Sequence, residues 1–213
     1  MENKTKLVIF DYDGVLIDTF PLTCEIYDQY LQEFNLDHNL SHDDYRELFE
    51  SDWRQNLAKL GIKSEEDIQK CVNIYQKIFS EDINKIKLFP GIKEVLLKLK
   101  QDNYKIAIVS NNLNAVMKPQ LDRFGITNFF DDIVDASHSL KPDPAGIFKL
   151  LAQYNLKPGE AVLIGDMTAD IEAAKNAKLK KAIAVSWGYH HPSQLKNADI
   201  IINSPEKILE VVD

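Results

Sequence analysis

The amino-acid sequence predicts an α/β fold in which a parallel sheet is covered by helices on both faces. The run Leu7–Phe10 is apolar throughout, as expected for a strand that is buried on both sides. From residue 92 onward, short β-branched runs alternate with helical patterns, which is typical of parallel strands joined by helical crossovers. Between these two regions lie about seventy residues with helical patterns and no convincing strand.

The inserted region contains three helical patterns. The first predicted helix has an apolar face whose residues recur at four-residue steps: Leu22, Ile26, Tyr30 and Phe34. Ser41 and the acidic residues after it form a capping signal, which predicts a second helix over 45–60 that ends at Gly61. Ser64 repeats that signal before a third helix with apolar positions at Ile68, Val72, Tyr75, Ile78 and Phe79.

The remaining elements are predicted in order after Phe89-Pro90-Gly91. Helices are expected over 92–100, 113–124, 144–154, 169–177 and 206–211, and strands over 104–109, 132–135, 161–164, 182–185 and 200–202. We therefore predict a Rossmann-like α/β core over residues 1–18 and 88–213, with an inserted all-helical domain over residues 19–87. Ligands of open parallel sheets bind beyond the carboxyl ends of the strands, so the insertion is expected to form a lid over such a site.

Composition restricts the classes of partner and the compartment. The formal net charge is −8 and the pI is about 5.2, which disfavours binding to nucleic acid polymers or to anionic membranes. Cys24 and Cys71 show no metal-ligand spacing, and we expect buried free thiols in a reducing compartment. The sequence shows neither a signal-peptide core nor an apolar run of roughly 18 residues, which predicts a cytoplasmic protein. Nothing in the sequence indicates an oligomeric state.

Asp11 and Asp13 come directly after the first predicted strand, with Gly14 behind them. Two carboxylates this close repel each other unless a cation lies between them, and Mg2+ prefers oxygen ligands. This stretch alone is equally compatible with a metal site and with an ordinary strand-to-loop turn.

Three further polar clusters follow later strands. Ser110-Asn111-Asn112 alone is best explained as a helix N-cap, and Lys141-Pro142 alone as a surface lysine in a stiff loop. Asp166 and Asp170 stand four residues apart where a strand enters a helix, so both can share one face. Helix capping explains one of these two carboxylates more easily than both.

The order of these clusters is more specific than any one of them. A strand ending in Asp-x-Asp, a second ending in Ser, then Lys-Pro and then Gly-Asp-x-x-x-Asp resembles the haloacid dehalogenase superfamily. The resemblance spans the whole predicted core, and the insertion stands where that family places its cap domain. Within the superfamily the chain is most similar to the phosphoglycolate phosphatase branch, through Phe89–Gly91, Lys141–Pro144 and Trp187–Tyr189.

The resemblance implies a Mg2+-dependent phosphatase that acts on a small phosphorylated metabolite. Asp11 would be the nucleophile that forms an aspartyl-phosphate, and Asp13 would be the general acid and later the general base. The metal would be held by Asp11, the backbone carbonyl of Asp13 and Asp166, while Asp170 would bind it directly or orient its waters.

The same resemblance assigns the remaining phosphoryl oxygens to three groups: Ser110, the Asn111 amide and Lys141. Tyr12 is expected to pack rather than react. Three sites depart from the family pattern. Val15 stands in place of Thr, as in the mutase branch, and Met167 in place of Ser or Thr removes a hydroxyl near the site. Ala177-Lys178 stands in place of a small residue and glycine, where we expect local loop changes rather than loss of activity.

Three other functions are weighed against hydrolysis. A dehalogenase would have no use for Asp13 as an acid. A β-phosphoglucomutase-like enzyme would carry a cap histidine where this chain has Thr23, and a non-catalytic phosphate- or partner-binding protein would not need all four clusters. We expect 2-phosphoglycolate as the leading substrate, with sugar phosphates, nucleoside monophosphates and pyrophosphate as further candidates. The insertion offers basic residues that could bind a carboxylate or a second phosphate of the substrate, namely His38, His42, Arg46 and Arg54. Outside the insertion, His190-His191 is expected to form an exposed turn.

Overall fold

A computed structural model describes residues 4–37 and 40–213, so His38 lies outside the described residues. Its elements up to the end of the insertion are β1 (Leu7–Phe10), β2 (Ile17–Asp18), α1 (Phe20–Glu33), α2 (His42–Leu48), α3 (Trp53–Lys59), α4 (Glu65–Asp82) and β3 (Lys87–Leu88). They continue with α5 (Ile92–Gln101), β4 (Lys105–Val109), α6 (Asn114–Phe124), β5 (Asp132–Val134), α7 (Ala145–Gln153), β6 (Ala161–Gly165), α8 (Thr168–Asn176), β7 (Lys181–Val185), β8 (Ile200–Ile202) and α9 (Ile208–Val211).

Six of the strands form one parallel sheet in the order β5-β4-β1-β6-β7-β8. The first strand is therefore central, with Phe10 opposite Ile108 of β4 on one side and Ile164 of β6 on the other. The strand order reverses between β1 and β6, which is where ligands bind in open sheets of this kind. The predicted Rossmann-like α/β fold is confirmed.

The central strand is apolar because both of its faces are covered. Leu7 and Ile9 belong to a buried cluster that includes residues of α7 and α8. Val8 and Phe10 point to the opposite face and are equally inaccessible to solvent, and α5 lies against the neighbouring strand β4. This burial fixes the point at which β1 emerges from the core, and Asp11 follows immediately.

The chain divides into two compact units. One contains the described residues up to Ile17 together with Leu88–Asp213, and the other spans Asp18–Lys87. The short strands β2 and β3, where the chain passes between the units, pair with each other, although the sequence analysis finds no strand in the insertion. No helix among the described residues is long and apolar enough to span a membrane.

The insertion unit contains α1–α4, with one correction to the predicted helices. The helix expected over 45–60 is two helices, α2 and α3, because Asp52 begins a new helix by accepting a hydrogen bond from the Arg54 amide (3.0 Å). The carboxamide of Asn56 accepts from the Glu50 amide (2.7 Å), which holds the intervening bend. Cys24 and Cys71 are both buried free thiols, as expected.

Candidate active site

The carboxyl ends of the adjacent strands β1 and β6 bring three carboxylates together. Asp11 follows β1, Asp166 follows β6, and Asp170 lies in the first turn of α8. All three are buried, and each offers one oxygen within 4.8 Å of the others. Adjacent parallel strands end at the same edge of the sheet, and the local sequence alone carries no signal of this proximity.

Lys141 supplies a positive charge to this cluster. Its Nζ lies 2.6 Å from Asp11 Oδ1 and 2.6 Å from Asp170 Oδ1, and the residue is only 5% exposed. Burial alone would lower the pKa of Lys141, but the charges of Asp11 and Asp170 outweigh it and raise the pKa above its ordinary value. Lys141 is thus a buried cation rather than a solvated surface lysine.

The cluster carries more negative charge than Lys141 can neutralise. Burial raises the pKa of Asp11 to about 7, with Lys141 opposing the shift and Asp170 adding to it. Burial, together with the charges of Asp11 and Asp170, also raises the pKa of Asp166 well above its usual range. Three carboxylates beside one ammonium are the environment that a divalent cation would stabilise in the ionised form.

The hydrogen bonds of the carboxylates indicate which oxygens could bind that cation. Asp166 Oδ2 accepts from the Tyr189 amide (2.6 Å), whereas its buried Oδ1 has no hydrogen-bond partner among the residues that the structure describes. Asp170 Oδ2 accepts from the amides of Asp166 (3.1 Å) and Met167 (2.9 Å). The unsatisfied Asp166 oxygen fits a metal ligand, because a buried oxygen with no partner is costly.

Two glycines allow the backbone to approach the Asp166 carboxylate. Gly14 has a φ of +72°, and a Cβ there would overlap Asp166 Oδ2 and lie 2.8 Å from Tyr189 Cδ2. A Cβ at Gly188 would overlap the same carboxylate. The loops after β1 and β7 therefore enclose Asp166 only because these positions lack side chains.

The loop after β4 holds both Lys141 and Asp13. Asn111 accepts from the Lys141 backbone amide through Oδ1 (2.7 Å) and donates from Nδ2 to the Lys141 carbonyl (3.1 Å). Asn112 donates from Nδ2 to Asp13 Oδ2 (3.1 Å), and its amide donates to Ser110 Oγ (3.0 Å). The sequence analysis assigns Asn112 no role, and its place after a strand end is the only signal that marks it.

His190 requires a correction. The sequence predicts an exposed turn at His190-His191, but His190 is 3% exposed and its Nδ1 accepts a hydrogen bond from the Thr168 amide (3.2 Å). The partner lies 22 residues away in the chain, so no local pattern reveals the contact. Tyr12 is buried, in agreement with the expectation that it packs.

Comparison with known proteins places the chain in a family. The family model described as haloacid dehalogenase-like hydrolase matches residues 8–184. The chain belongs to this hydrolase family. The resemblance seen in the motifs is thereby confirmed, and the chain is an enzyme of the hydrolase class.

Several relatives of this hydrolase match over nearly their whole length. A phosphoglycolate phosphatase of Aquifex aeolicus is 30% identical, covering 98% of this chain and 97% of the relative. Pyrophosphatase PpaX of Listeria innocua is 28% identical, covering 100% and 98%. Among solved structures, a predicted phosphoglycolate phosphatase from Haemophilus somnus has a TM-score of 0.84 at 25% identity, covering 98% of each chain. A putative β-phosphoglucomutase from Thermotoga maritima has a TM-score of 0.72 at 27% identity, covering 97% and 98%.

Proposed function

We propose that this hydrolase is a Mg2+-dependent phosphatase that cleaves a small phosphomonoester through an aspartyl-phosphate formed on Asp11. The observation that carries the proposal is the buried cluster of Asp11, Asp166, Asp170 and Lys141, in which one Asp166 oxygen has no partner among the described residues. A site with these charges suits phosphoryl transfer, because that reaction depends on positioning and on neutralising negative charge.

Asp11, the backbone carbonyl of Asp13 and Asp166 are the groups that we propose hold the metal. Asp170 is better suited to orienting these groups, because its oxygens already face Lys141 and two backbone amides. When bound, Mg2+ would neutralise charge between the nucleophile and the phosphoryl oxygens.

The protein's own groups would perform two displacements at phosphorus. In the first, an Asp11 oxygen attacks, the bond to the leaving oxygen breaks, and Asp13 donates a proton to the departing alcohol. In the second, Asp13 takes a proton from water, which attacks the phosphorus and releases phosphate from Asp11. Ser110, the Asn111 amide and Lys141 would bind the remaining phosphoryl oxygens, and the short Lys141–Asp11 distance supports that role for Lys141.

Residues 19–87 are proposed to form the cap domain that selects the substrate, and residues 1–18 with 88–213 the catalytic core. The chain divides into two compact units after Ile17 and before Leu88, which supports this assignment. We propose 2-phosphoglycolate as the first substrate to test, because relatives of nearly equal length are named phosphoglycolate phosphatases. Pyrophosphate is the second, since other relatives are named pyrophosphatases.

Transfer between sugar phosphates receives less support than hydrolysis. The mutase pattern places a cap histidine at the position of Thr23, and the Thr23 hydroxyl instead donates to the Thr19 carbonyl of its own helix (3.0 Å). Incubation with a sugar phosphate and analysis of the products distinguishes the two reactions, since a phosphatase releases inorganic phosphate and a mutase releases an isomer.

The test is phosphate release from p-nitrophenyl phosphate and a metabolite panel in the presence of Mg2+. Wild-type protein should be active, and Asp11→Asn should lower kcat by about a thousandfold or more, because the nucleophile is lost. Asp143→Asn is the matched control: Asp143 Oδ1 accepts from the Ala145 amide (2.8 Å) at the start of α7, and an asparagine oxygen can accept the same bond, so activity should stay within about threefold. Wild-type protein that releases no phosphate from any compound would refute the proposal.

A further inference from the structure

We propose that His190 is a positioning residue that holds the carboxylates of Asp166 and Asp170 in place for metal binding. The inference rests on the proposed function, since it assumes that these carboxylates serve a metal site. His190 lies outside the set of residues that the motifs mark, and its side chain is buried although imidazole is polar.

Helix α8 begins without the side-chain cap that helices commonly have. This helix begins at Thr168, and Met167 occupies the N-cap position, where Ser, Thr, Asp or Asn would normally accept a hydrogen bond from a first-turn amide. A methionine thioether is only a weak acceptor. His190 supplies an acceptor from a distant loop for another first-turn amide, since its Nδ1 accepts a hydrogen bond from the Thr168 amide at 3.2 Å.

The contact between His190 and Thr168 joins the two segments that fix both carboxylates. The loop of His190 also carries the Tyr189 amide, which donates to Asp166 Oδ2 (2.6 Å), and the His190 amide donates to the Asp166 carbonyl (3.4 Å). The first turn of α8 carries Asp170, whose Oδ2 accepts from the amides of Asp166 and Met167. The imidazole thus links the loop that binds Asp166 to the helix turn that holds Asp170.

The atom of His190 on which this role depends is Nδ1. Asparagine places its Oδ1 close to the position of histidine Nδ1, so the substitution His190→Asn would retain an acceptor for the Thr168 amide. Glutamine places its amide near Nε2, and leucine has no acceptor. A role that depends on Nδ1 therefore predicts the order His, then Asn, then Gln and Leu, whereas simple filling of space predicts that Leu and Gln perform as well as Asn.

The experiment measures Mg2+ affinity of the full chain by calorimetry, alongside phosphatase activity and thermal unfolding. His190→Leu should weaken Mg2+ binding about tenfold, which is typical for loss of a group that orients metal ligands. His190→Asn should bind Mg2+ within about threefold of wild type, and His190→Gln should resemble His190→Leu. In the kinetics, His190→Leu should raise the Mg2+ concentration needed for half-maximal rate more than it lowers kcat at saturating Mg2+.

A second variant tests which amide of α8 the requirement concerns. Met167→Ser introduced into the His190→Leu protein should leave the Mg2+ affinity within about threefold of His190→Leu, because a serine at the N-cap accepts from the second or third amide of the helix and not from the Thr168 amide. Wild-type Mg2+ affinity in His190→Leu, or equal affinities for the Asn, Gln and Leu variants, would overturn the role of His190 while leaving the proposed function intact. A wild-type protein that binds no Mg2+ would overturn both.

Discussion

At the scale of single residues, Lys141 is the group on which the stability of the cluster depends most directly. It is buried and lies 2.6 Å from each of two carboxylates, so its removal would leave buried negative charge without a partner. We expect Lys141→Met to lower the free energy of unfolding in the absence of Mg2+ by about 3–5 kcal/mol. Urea denaturation measures this change.

Lys175→Met is the matched control for Lys141→Met. Lys175 also pairs with an aspartate, Asp199 at 3.2 Å, but both side chains are nearly half exposed. We therefore expect a change of less than about 1 kcal/mol. Equal losses in the two variants would show that the buried cluster has no special electrostatic role.

Gly14 is a residue at which crowding by a side chain can be separated from the cost of a positive φ. Alanine there would combine an unfavourable positive φ with overlap of the Asp166 carboxylate. Gly61 has a similar φ of +86°, but no atom lies within 4 Å of the position that a Cβ would take, so Gly61→Ala reports the backbone cost alone, about 1–2 kcal/mol. We expect Gly14→Ala to lose more stability than Gly61→Ala, and to lose phosphatase activity that Gly61→Ala retains. Similar losses in both assays would contradict the crowding at Gly14.

At the scale of secondary-structure elements, Asp131 connects α5, β4 and the start of β5. Its carboxylate accepts from Lys100 Nζ (2.8 Å), the Ile106 amide (2.9 Å) and Lys105 Nζ (3.1 Å). Burial raises the pKa of Asp131, but these hydrogen bonds outweigh burial and hold the pKa below its ordinary value. A carboxyl group with a lower pKa in the folded state stabilises the protein above its unfolded pKa and loses that contribution as the pH falls through the folded value.

Asp131→Asn should therefore lower the free energy of unfolding by about 1–2 kcal/mol at pH 7. The difference from wild type should begin to shrink as the pH falls below about 4, where the carboxyl group of the unfolded chain becomes protonated, and should vanish as the pH falls through the lower pKa of the folded protein. Urea denaturation across that range measures it. Asp102→Asn serves as a control, because its exposed contact with Lys98 (2.7 Å) should contribute about 0.5 kcal/mol or less. A difference for Asp131→Asn that grows at low pH would contradict this assignment.

At the scale of the whole molecule, the net charge of −8 and the excess of carboxylates at the cluster both favour stabilisation by a bound cation. A ligand that binds only the folded state raises stability by mass action, by about 2.7 kcal/mol at one hundred times its Kd. We expect Mg2+ to raise Tm, EDTA to reverse the rise, and Asp166→Asn to show a much smaller rise. NaCl at matched ionic strength controls for screening, and a rise that NaCl reproduces would argue against a specific site.

Sequence patterns determine the helices and strands of this protein wherever the spacing of apolar residues and the local capping residues are sufficient to define them. An apolar run such as Leu7–Phe10 fits a strand that is buried on both faces, and the alternation of such runs with helical patterns predicts the parallel sheet. The motif order also marks Asp11, Lys141, Asp166 and Asp170, because residues of these types in this order resemble the haloacid dehalogenase family to which the chain belongs. The sequence predicts one helix across the bend near Asp52, because apolar residues recur at helical spacing on both sides of it. The hydrogen bond from the Arg54 amide to Asp52, which starts the second helix, leaves this spacing unchanged.

The tertiary structure alone determined how these marked groups are held. Asn112 reaches Asp13 across 99 positions of the chain, Asn111 holds the Lys141 backbone across 30, and His190 meets Thr168 across 22. Hydrogen bonds between distant segments leave no periodicity in the sequence, because each depends on where two strands end relative to each other. Side-chain type and spacing therefore predicted which groups make up the candidate site, whereas the packing of the sheet decided which other groups hold them in place.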